Sequence, residues 1–289
     1  MSTAPGGPAT DGGPVTDGAP RAAGQADRTA EVSWFDTREV TLGPADLAGL
    51  DARENARAAA FVFPADRHRY QVAHVMLRRV LAGHLGTEPG RLTFGRQPCP
   101  ACGGPSGKPV RAWGDTASSG GHPRTPDGPG TPAGEGGGPG LSFSLAHSGE
   151  AVAIAVARAP VGIDVERQAT GCVCSLASAM HADDAALVEA LPEPERHLAV
   201  IGWWVRAEAV LKCAGTGIAH GMDAFPVLGG PARSRVPPRP RLPAEPGASG
   251  WAAAAGCSFA ALSAPKGYQA ALALPGLRMI RYRWGPDRW

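Results

Sequence analysis

The chain has 289 residues, of which 28 are Lys or Arg and 26 are Asp or Glu, so its formal net charge is only +2. A charge so close to zero gives no global electrostatic argument for a protein that binds nucleic acid or a membrane surface. The 40 glycines and 29 prolines exceed what one evenly packed domain contains, and we therefore expect part of the chain to lie outside the folded core.

Three segments are expected to lie outside that core. Residues 1–31 hold mainly small and polar residues and contain neither a secretory signal nor a membrane anchor, so they are predicted to be a disordered tail. Residues 114–140 contain 10 Gly and 5 Pro in 27 positions and are predicted to be a flexible insertion. Residues 229–249, rich in Pro and Arg, are predicted to be an extended loop. The folded halves are then 32–158 and 159–289.

The distribution of apolar residues and cysteines indicates in which cellular compartment the protein is found. Nowhere do 18 apolar residues follow one another, so no transmembrane helix is predicted. The six cysteines are unevenly spaced in a chain without an export signal, which favours reduced thiols over disulfides. We expect a cytoplasmic protein.

Helices and strands alternate irregularly along the ordered parts. Apolar residues recur at helical spacing from Asp66 to Leu85, with arginines between them, which predicts an amphipathic helix. Arg158-Ala159-Pro160 is predicted to join two strands in a tight hairpin. The mixed order favours an α+β fold over a repeating βαβ fold. The further predicted elements are strands at Leu141–Leu145, Ala151–Ala157 and Val161–Glu166, helices at Ala182–Leu191 and Glu193–Ala214, and a strand pair at Ser258–Ser263 and Tyr268–Leu274.

Two carboxylates lie two positions apart in the strand Val161–Glu166. Side chains alternate along a strand, so Asp164 and Glu166 project from one face. Ile163 and Val165 then point into the core. Because neighbouring carboxylates repel each other, the functional interpretation is a hard divalent cation, Mg²⁺ first. Taken alone, the hexapeptide favours the alternative, an exposed acidic strand face without a ligand.

A second group of charges lies on the predicted helix Glu193–Ala214. Residues four apart share a helix face, so Trp204, Glu208 and Lys212 form one stripe. The other sides of the helix are mostly apolar, which places Glu208 and Lys212 at the edge of a buried region, where charges usually need a ligand or a metal. The alternative is an ordinary Glu–Lys pair that contributes a few tenths of a kcal/mol to an exposed helix.

Together these segments resemble the paired signature of 4'-phosphopantetheinyl transferases of the surfactin-synthetase-activating type. The strand Gly162-Ile163-Asp164-Val165-Glu166 is followed some forty residues later by Trp-x-x-x-Glu-Ala-x-x-Lys, and the joint match is more specific than either half. The resemblance covers about residues 32 to 280. Three upstream segments also resemble this family, in the same order along the chain: Phe61–Tyr70, Gly107-Lys108-Pro109 and Phe143–Gly149.

The resemblance implies a role for each matching residue. Taken alone, His147 fits an ordinary loop histidine, and Lys108, Arg57 and Arg69 fit ordinary solvated charges. The implied roles are metal binding by Asp164, Glu166 and Glu208, pyrophosphate contacts from Lys212 and His147, a place beside the adenine for Lys108 and Pro109, and a place near the ribose 3'-phosphate for Arg57 and Arg69.

The resemblance also implies a fold and a reaction. The fold would be two similar α+β halves, related by a pseudo-two-fold axis, with the active site at their junction. The reaction would be Mg²⁺-dependent transfer of phosphopantetheine from the co-substrate coenzyme A to a serine of an acyl or peptidyl carrier domain. Glu208 would be the base for the serine proton, and Lys212 would neutralise the leaving adenosine 3',5'-bisphosphate. Fatty acid, polyketide and nonribosomal peptide synthases contain such domains. We expect the enzyme to be a monomer.

Two departures and one cysteine pair leave alternatives open. The family's usual Ser before the His is Ala146 here, and its usual Lys before the metal-binding Glu is Ala207, which makes a copy of weakened activity one alternative. Cys99 and Cys102 form half of a zinc knuckle. A zinc-dependent binding module that uses this pair, with the Arg-rich segment 233–241 touching acidic partners, is the other alternative.

Overall fold

The computed structural model describes residues 28–100, 103–105, 108–111, 140–168, 176, 178–217, 221–229, 233–235 and 256–285. The fold is of the mixed α+β class, as predicted. The helices are α1 (Pro44–Ala48), α2 (Ala52–Ala59), α3 (Pro64–Leu85), α4 (Ala182–Glu189) and α5 (Glu193–Ala214). The strands are β1 (Thr29–Asp36), β2 (Phe94–Arg96), β3 (Pro109–Arg111), β4 (Ser142–Ser148), β5 (Ala151–Ala157), β6 (Gly162–Arg167), β7 (Arg233–Arg235), β8 (Cys257–Ala261), β9 (Tyr268–Pro275) and β10 (Met279–Trp284).

The first sheet has the strand order β10-β1-β5-β4 and packs against α3. β5 is buried along its whole length, which explains its continuous apolar sequence. Val72, Met76 and Val80 of α3 share one core with Val152 and Ile154 of β5. Pro64 begins the helix and Gly86, at φ 61°, ends it.

The second sheet has the order β6-β9-β8-β7 and packs against α5. β6 approaches this helix so closely that a Cβ on Gly162 would lie 1.9 Å from the Ala209 carbonyl oxygen. Only glycine fits there, and the close approach puts the carboxylates of β6 beside the charged stripe of α5. The two sheets meet along β4 and β6, where the backbone N–H of Ile163 donates to Ser144 Oγ (3.1 Å).

The predicted hairpin at Arg158-Ala159-Pro160 is wrong. β5 pairs with β4 and β1 in the first sheet, whereas β6 pairs with β9 in the second. The three residues therefore carry the chain from one sheet to the other. Local sequence does not distinguish these cases because a short turn-forming segment between two apolar strands suits both.

The first and last described strands, β1 and β10, connect the two predicted halves. β10 returns from the second half and pairs in parallel with β1, with Thr29 opposite Met279 and Trp34 opposite Trp284. The indoles of Trp34 and Trp284 are stacked, with ring centroids 5.6 Å apart. Neither strand was predicted from the sequence.

The remaining predicted elements are present with small changes at their ends, including both long helices and the pair β8–β9. Of the three predicted non-core segments, residues 1–27, 114–139 and most of 230–249 lie outside the described residues. Within the third, Arg233–Arg235 form β7 and pair with β8, so at least this part is a strand and not a loop. None of the described helices is both long and apolar enough to cross a membrane.

Candidate active site

The two carboxylates of β6 differ in exposure. Asp164 is 5% exposed, whereas Glu166 is half-buried near the end of the strand. Ile163 and Val165 are buried in an apolar core, as the alternation predicts. Both carboxylates therefore lie on the side of β6 opposite this core.

The stripe on α5 also lies where periodicity predicts it. Trp204, Glu208 and Lys212 are half-buried, while Val205, Ala207, Ala209, Val210 and Leu211 are buried. Burial raises the pKa of Glu208, and the charge of Lys212 opposes this rise. The charged stripe is therefore at the edge of the core and not on a freely solvated helix face.

Asp164 and Lys212 join the strand to the helix. Lys212 Nζ donates to Asp164 Oδ1 (2.6 Å). The other oxygen, Oδ2, is buried and accepts no hydrogen bond from the described residues. Burial first, and then the charges of Glu208 and Glu166, raise the pKa of Asp164 to about 7 despite Lys212. A single cation is thus too little for three neighbouring carboxylates.

A divalent cation fits this donor set by its chemistry. In the described part of the chain, no three His, Cys, Asp or Glu side chains are already arranged to hold a metal ion. Glu166 Oε2 accepts a hydrogen bond from Ser148 Oγ (2.7 Å). The unpaired, buried Asp164 oxygen nevertheless needs a positive partner, and carboxylate oxygens suit Mg²⁺. The metal ligands predicted from the sequence stay a prediction.

A cavity of about 650 Å³ adjoins Lys212. Arg57, Lys108 and Pro109, which the sequence predicted as coenzyme A contacts, line it as well. Its walls come from α2, α3, α5 and the strands β2, β3 and β4. Because Lys212 both lines the cavity and binds Asp164, it connects the cavity to the carboxylates.

Lys108 has a second attachment that the sequence did not indicate. Its Nζ donates to the Val161 carbonyl oxygen (2.5 Å) and to Ser142 Oγ (3.1 Å). Burial lowers the pKa of this ammonium group. Lys108 therefore braces the start of β6 against β4, in addition to any contact with a ligand.

Arg69 and His147 do not line the cavity. The Arg69 guanidinium donates to the Gly149 carbonyl oxygen (3.1 Å) and forms an ion pair with Asp66. His147 is exposed at the end of β4, and its pKa is lowered by desolvation first and then by nearby cations, Arg69 before Lys212. The structure therefore does not bring these two predicted residues to the cavity wall.

Ala146 and Ala207 differ from the rest of the predicted site. Ala146 is 4% exposed and packs with other small residues between the sheets, and Ala207 is fully buried in the core under α5. In this fold both methyl groups face apolar neighbours. Neither residue lines the cavity, and the alternative of an impaired copy stays a prediction.

The cysteines give no support to a zinc site. Cys99 is buried, and its thiol donates to the Thr216 carbonyl oxygen (3.8 Å). Cys213 and Cys257 lie with their sulfur atoms 3.4 Å apart and are not bridged. Cys102, Cys172 and Cys174, which would have to complete a zinc site, lie outside the described residues.

Residues 160–239 match the family model of the 4'-phosphopantetheinyl transferase superfamily. The chain is 32% identical over 178 residues to the 4'-phosphopantetheinyl transferase HetI of Nostoc sp. (strain PCC 7120), an alignment that covers 60% of this chain and 63% of that protein. It is 23% identical over 192 residues to a 4'-phosphopantetheinyl transferase of Bacillus subtilis, covering 66% of this chain and 72% of that protein. The chain thus spans less than two thirds of the Nostoc protein's length. The resemblance to this superfamily is confirmed.

Proposed function

We propose that this member of the 4'-phosphopantetheinyl transferase superfamily moves the phosphopantetheine arm of coenzyme A onto a serine of an acyl or peptidyl carrier domain. The matching segment, residues 160–239, includes Asp164, Glu166, Glu208 and Lys212, which form the charged centre between β6 and α5. Both relatives described above carry this activity in their names.

The observation that carries the proposal is the unpaired, buried oxygen of Asp164. An ionised carboxylate in such a place is costly unless a cation binds it. Lys212 satisfies only one of its two oxygens. A site that lacks positive charge fits an enzyme whose co-substrate arrives with a divalent cation.

Asp164, Glu166 and Glu208 would hold Mg²⁺. When bound, this ion supplies positive charge that neutralises the pyrophosphate oxygens of coenzyme A. Lys212, which already touches Asp164, adds a fixed cation at the same place. Phosphoryl transfer depends mainly on such positioning and neutralisation.

The proposed step forms one P–O bond and breaks another. The carrier serine Oγ attacks the β-phosphorus of coenzyme A, and the bond from that phosphorus to the bridging oxygen breaks. The serine proton passes to Glu208, a carboxylate whose pKa is raised by burial. Adenosine 3',5'-bisphosphate leaves with the bridging oxygen, and Lys212 neutralises its new charge.

The cavity next to Lys212 is the proposed site for coenzyme A. Its volume of about 650 Å³ is within the range of roughly 300–1,000 Å³ that is usual for small-molecule sites. Arg57 and Lys108 give its wall positive charge for an anionic ligand, and Pro109 adds an apolar surface for the adenine. Arg69 and His147 would join them by moving toward the bound pyrophosphate and 3'-phosphate.

Further parts of the proposal concern the whole molecule. We infer a pseudo-two-fold relation between the halves, because each four-stranded sheet packs against one helix of 22 residues. An experimental structure in which α3 with β4–β5 does not superpose on α5 with its strands contradicts this relation. We also propose that the protein is cytoplasmic and monomeric, and that it serves carrier domains of fatty acid, polyketide or nonribosomal peptide synthesis. Sedimentation measures whether the protein is a monomer.

The test is a carrier modification assay. The purified chain is incubated with coenzyme A, Mg²⁺ and several carrier domains, and mass spectrometry measures the addition of phosphopantetheine. We expect at least one carrier to be modified, and a carrier with Ala in place of its acceptor serine to stay unmodified. Modification that persists after chelation of divalent cations contradicts the metal requirement. No modification of any acyl or peptidyl carrier contradicts the function itself.

A further inference from the structure

Two buried cysteines lie side by side near the end of α5. Cys213 is in the last turn of this helix and Cys257 begins β8, and their sulfur atoms are 3.4 Å apart and not bridged. Both side chains belong to the core between α5 and the second sheet. A disulfide has an S–S distance of about 2 Å, so a closing movement of about 1.4 Å joins them. The two thiols are therefore placed for oxidation to a disulfide.

The two thiols differ in acidity. The hydrogen bond between them lowers the pKa of Cys257, and the positive charge of Lys108 lowers it as well, although burial opposes both. The same hydrogen bond is the first cause that raises the pKa of Cys213, and burial raises it further. The more acidic thiol supplies the thiolate, which is the form that reacts with an oxidant. Cys257 is therefore the reacting thiol, and Cys213 is the thiol that closes the bond.

The position of Cys213 connects this pair to the candidate active site. Its neighbour in the chain, Lys212, donates to Asp164 Oδ1 (2.6 Å). The Cys213 thiol itself donates to the Pro160 carbonyl oxygen (3.3 Å), just before β6. The packing is tight here, because a Cβ on Gly162 of β6 would lie 2.4 Å from the Cys213 backbone nitrogen. The last turn of α5 is thus held against β6, the strand that carries Asp164.

The order of the strands determines what a disulfide does to this contact. In the second sheet β9 lies between β6 and β8. A bond to Cys257 therefore pulls Cys213 toward β8 and away from β6. It also removes the hydrogen bond to Pro160, because a disulfide sulfur has no proton to donate. Lys212 moves with the last turn of α5, and its hydrogen bond to Asp164 lengthens.

We propose that Cys213 and Cys257 are an oxidation site, at which a peroxide forms a disulfide that slows phosphopantetheine transfer. Oxidation withdraws Lys212 from Asp164, and with it the fixed cation that neutralises the leaving group. The effect on transfer rests on the proposed function, whereas formation of the disulfide does not. Reduction by a small thiol restores the separate cysteines and the position of Lys212.

The oxidation proceeds in two balanced steps. The Cys257 thiolate attacks one oxygen of hydrogen peroxide, so that an S–O bond forms, the O–O bond breaks and hydroxide leaves, taking up a proton to become water. The Cys213 thiol then gives up its proton, and its sulfur attacks the sulfur of this sulfenic acid. The S–S bond forms, the S–O bond breaks, and a second water leaves. The two cysteines have then lost two electrons and two protons, and the peroxide has gained them.

Peptide mapping tests the oxidation site. The reduced, purified chain is treated with hydrogen peroxide, the remaining thiols are alkylated, and the non-reduced digest is analysed by mass spectrometry. We expect a linked pair of peptides that contain Cys213 and Cys257, lighter than the two separate peptides by two hydrogen atoms. Cys99→Ala is the matched control, because Cys99 is also a buried thiol, and this variant should form the same linkage. Absence of the linkage in the wild type overturns the proposal.

The transfer assay tests the consequence for activity. We expect the oxidised wild type to transfer phosphopantetheine about tenfold more slowly than the reduced protein, since a displacement of about 1 Å at a reacting group is costly. Dithiothreitol should restore the rate. Cys257→Ala, which removes one thiol outside the cavity, should have the same rate before and after peroxide treatment. Should Cys257→Ala fold poorly, Cys213→Ala gives the same readout.

The outcomes separate this proposal from the proposed function. A linkage that leaves the transfer rate unchanged overturns the effect on Lys212, and so does an equal slowing of Cys257→Ala by peroxide. A reduced wild type that modifies no carrier contradicts the proposed function. Peptide mapping then still tests the disulfide, and calorimetry of coenzyme A binding tests the displacement of Lys212, because equal binding by the reduced and oxidised forms overturns it.

Discussion

Two buried charged clusters in the described part of the chain differ in how their charges are matched. In the first, Glu54 accepts hydrogen bonds from Arg78 and His74, and its pKa is lowered to about 2. In the second, Asp164 accepts one bond from Lys212, leaves an oxygen without a partner, and has its pKa raised to about 7. Desolvation by burial is the first cause of the raised pKa of Asp164, whereas at Glu54 the hydrogen bonds from His74, Arg78 and the Asp51 N–H outweigh it.

This difference separates a structural cluster from a reactive one. The Glu54 cluster is complete, and it fixes the start of α2 against α3 without an external ligand. The Asp164 cluster is incomplete, because Glu166 and Glu208 add negative charge beside it. An incomplete cluster next to a cavity is the arrangement expected where a cation and an anionic substrate bind together.

The largest effect is expected from Asp164→Ala. Removal of this carboxylate takes away a proposed metal ligand, and turnover should fall between about a hundredfold and a thousandfold, as is usual when one electrostatic stabiliser is deleted. The fold should survive because carboxylate repulsion is relieved. Transfer of phosphopantetheine to a carrier measures the loss of turnover, and the thermal midpoint of unfolding measures whether the fold survives. Asp183→Ala, at a side chain that is 74% exposed, is the control. Wild-type turnover in the Asp164 variant contradicts the metal site.

Glu54→Gln tests the complete cluster. Because its folded pKa is about 2 and its ordinary value 4.5, Glu54 stabilises the fold above pH 4.5, and this contribution is lost as the pH falls through 2. We expect the variant to lose about 2–3 kcal/mol of unfolding free energy at pH 7 and to approach wild type near pH 2. Urea unfolding at both pH values, with exposed Glu88→Gln as control, measures this. A pH-independent difference contradicts the charge pairing.

Lys108→Ala sharpens the comparison, since Lys108 lines the cavity and also braces β4 against β6. Loss of its charge should raise KM for coenzyme A about tenfold and lower turnover less. Loss of its hydrogen bonds should reduce stability by about 1 kcal/mol. Calorimetry and urea unfolding separate these effects. A loss of stability with unchanged binding would leave Lys108 only its bracing role.

Ser148→Ala should have the smallest effect. Ser148 Oγ donates to Glu166 Oε2 (2.7 Å) and accepts from the Arg167 N–H (3.1 Å), so it orients one proposed metal ligand. We expect the Mg²⁺ concentration for half-maximal activity to rise about fivefold. Exposed Ser263→Ala is the control. An unchanged Mg²⁺ requirement excludes this orienting role.

Much of the candidate site was predictable from local pattern. Strand alternation predicted that Asp164 and Glu166 share a face, and helix periodicity predicted the half-buried stripe of Glu208 and Lys212. The hydrogen bond from Lys212 to Asp164 was not predictable, because 48 residues separate its partners. The contact of Ser148 was missed for the same reason, since its partner Glu166 lies 18 residues away.

The sequence by itself determined the α+β class, the two long helices and the residues that match the superfamily signature, because these depend on local periodicity and composition. Only the tertiary structure decided that β5 and β6 belong to different sheets, that β10 pairs with β1, and that Lys108 is a brace. It also decided that the negative charge of buried Glu54 is matched by positive partners and that the charge of buried Asp164 is not. Those outcomes depend on which distant charges and backbone groups meet, and local sequence patterns do not contain that information.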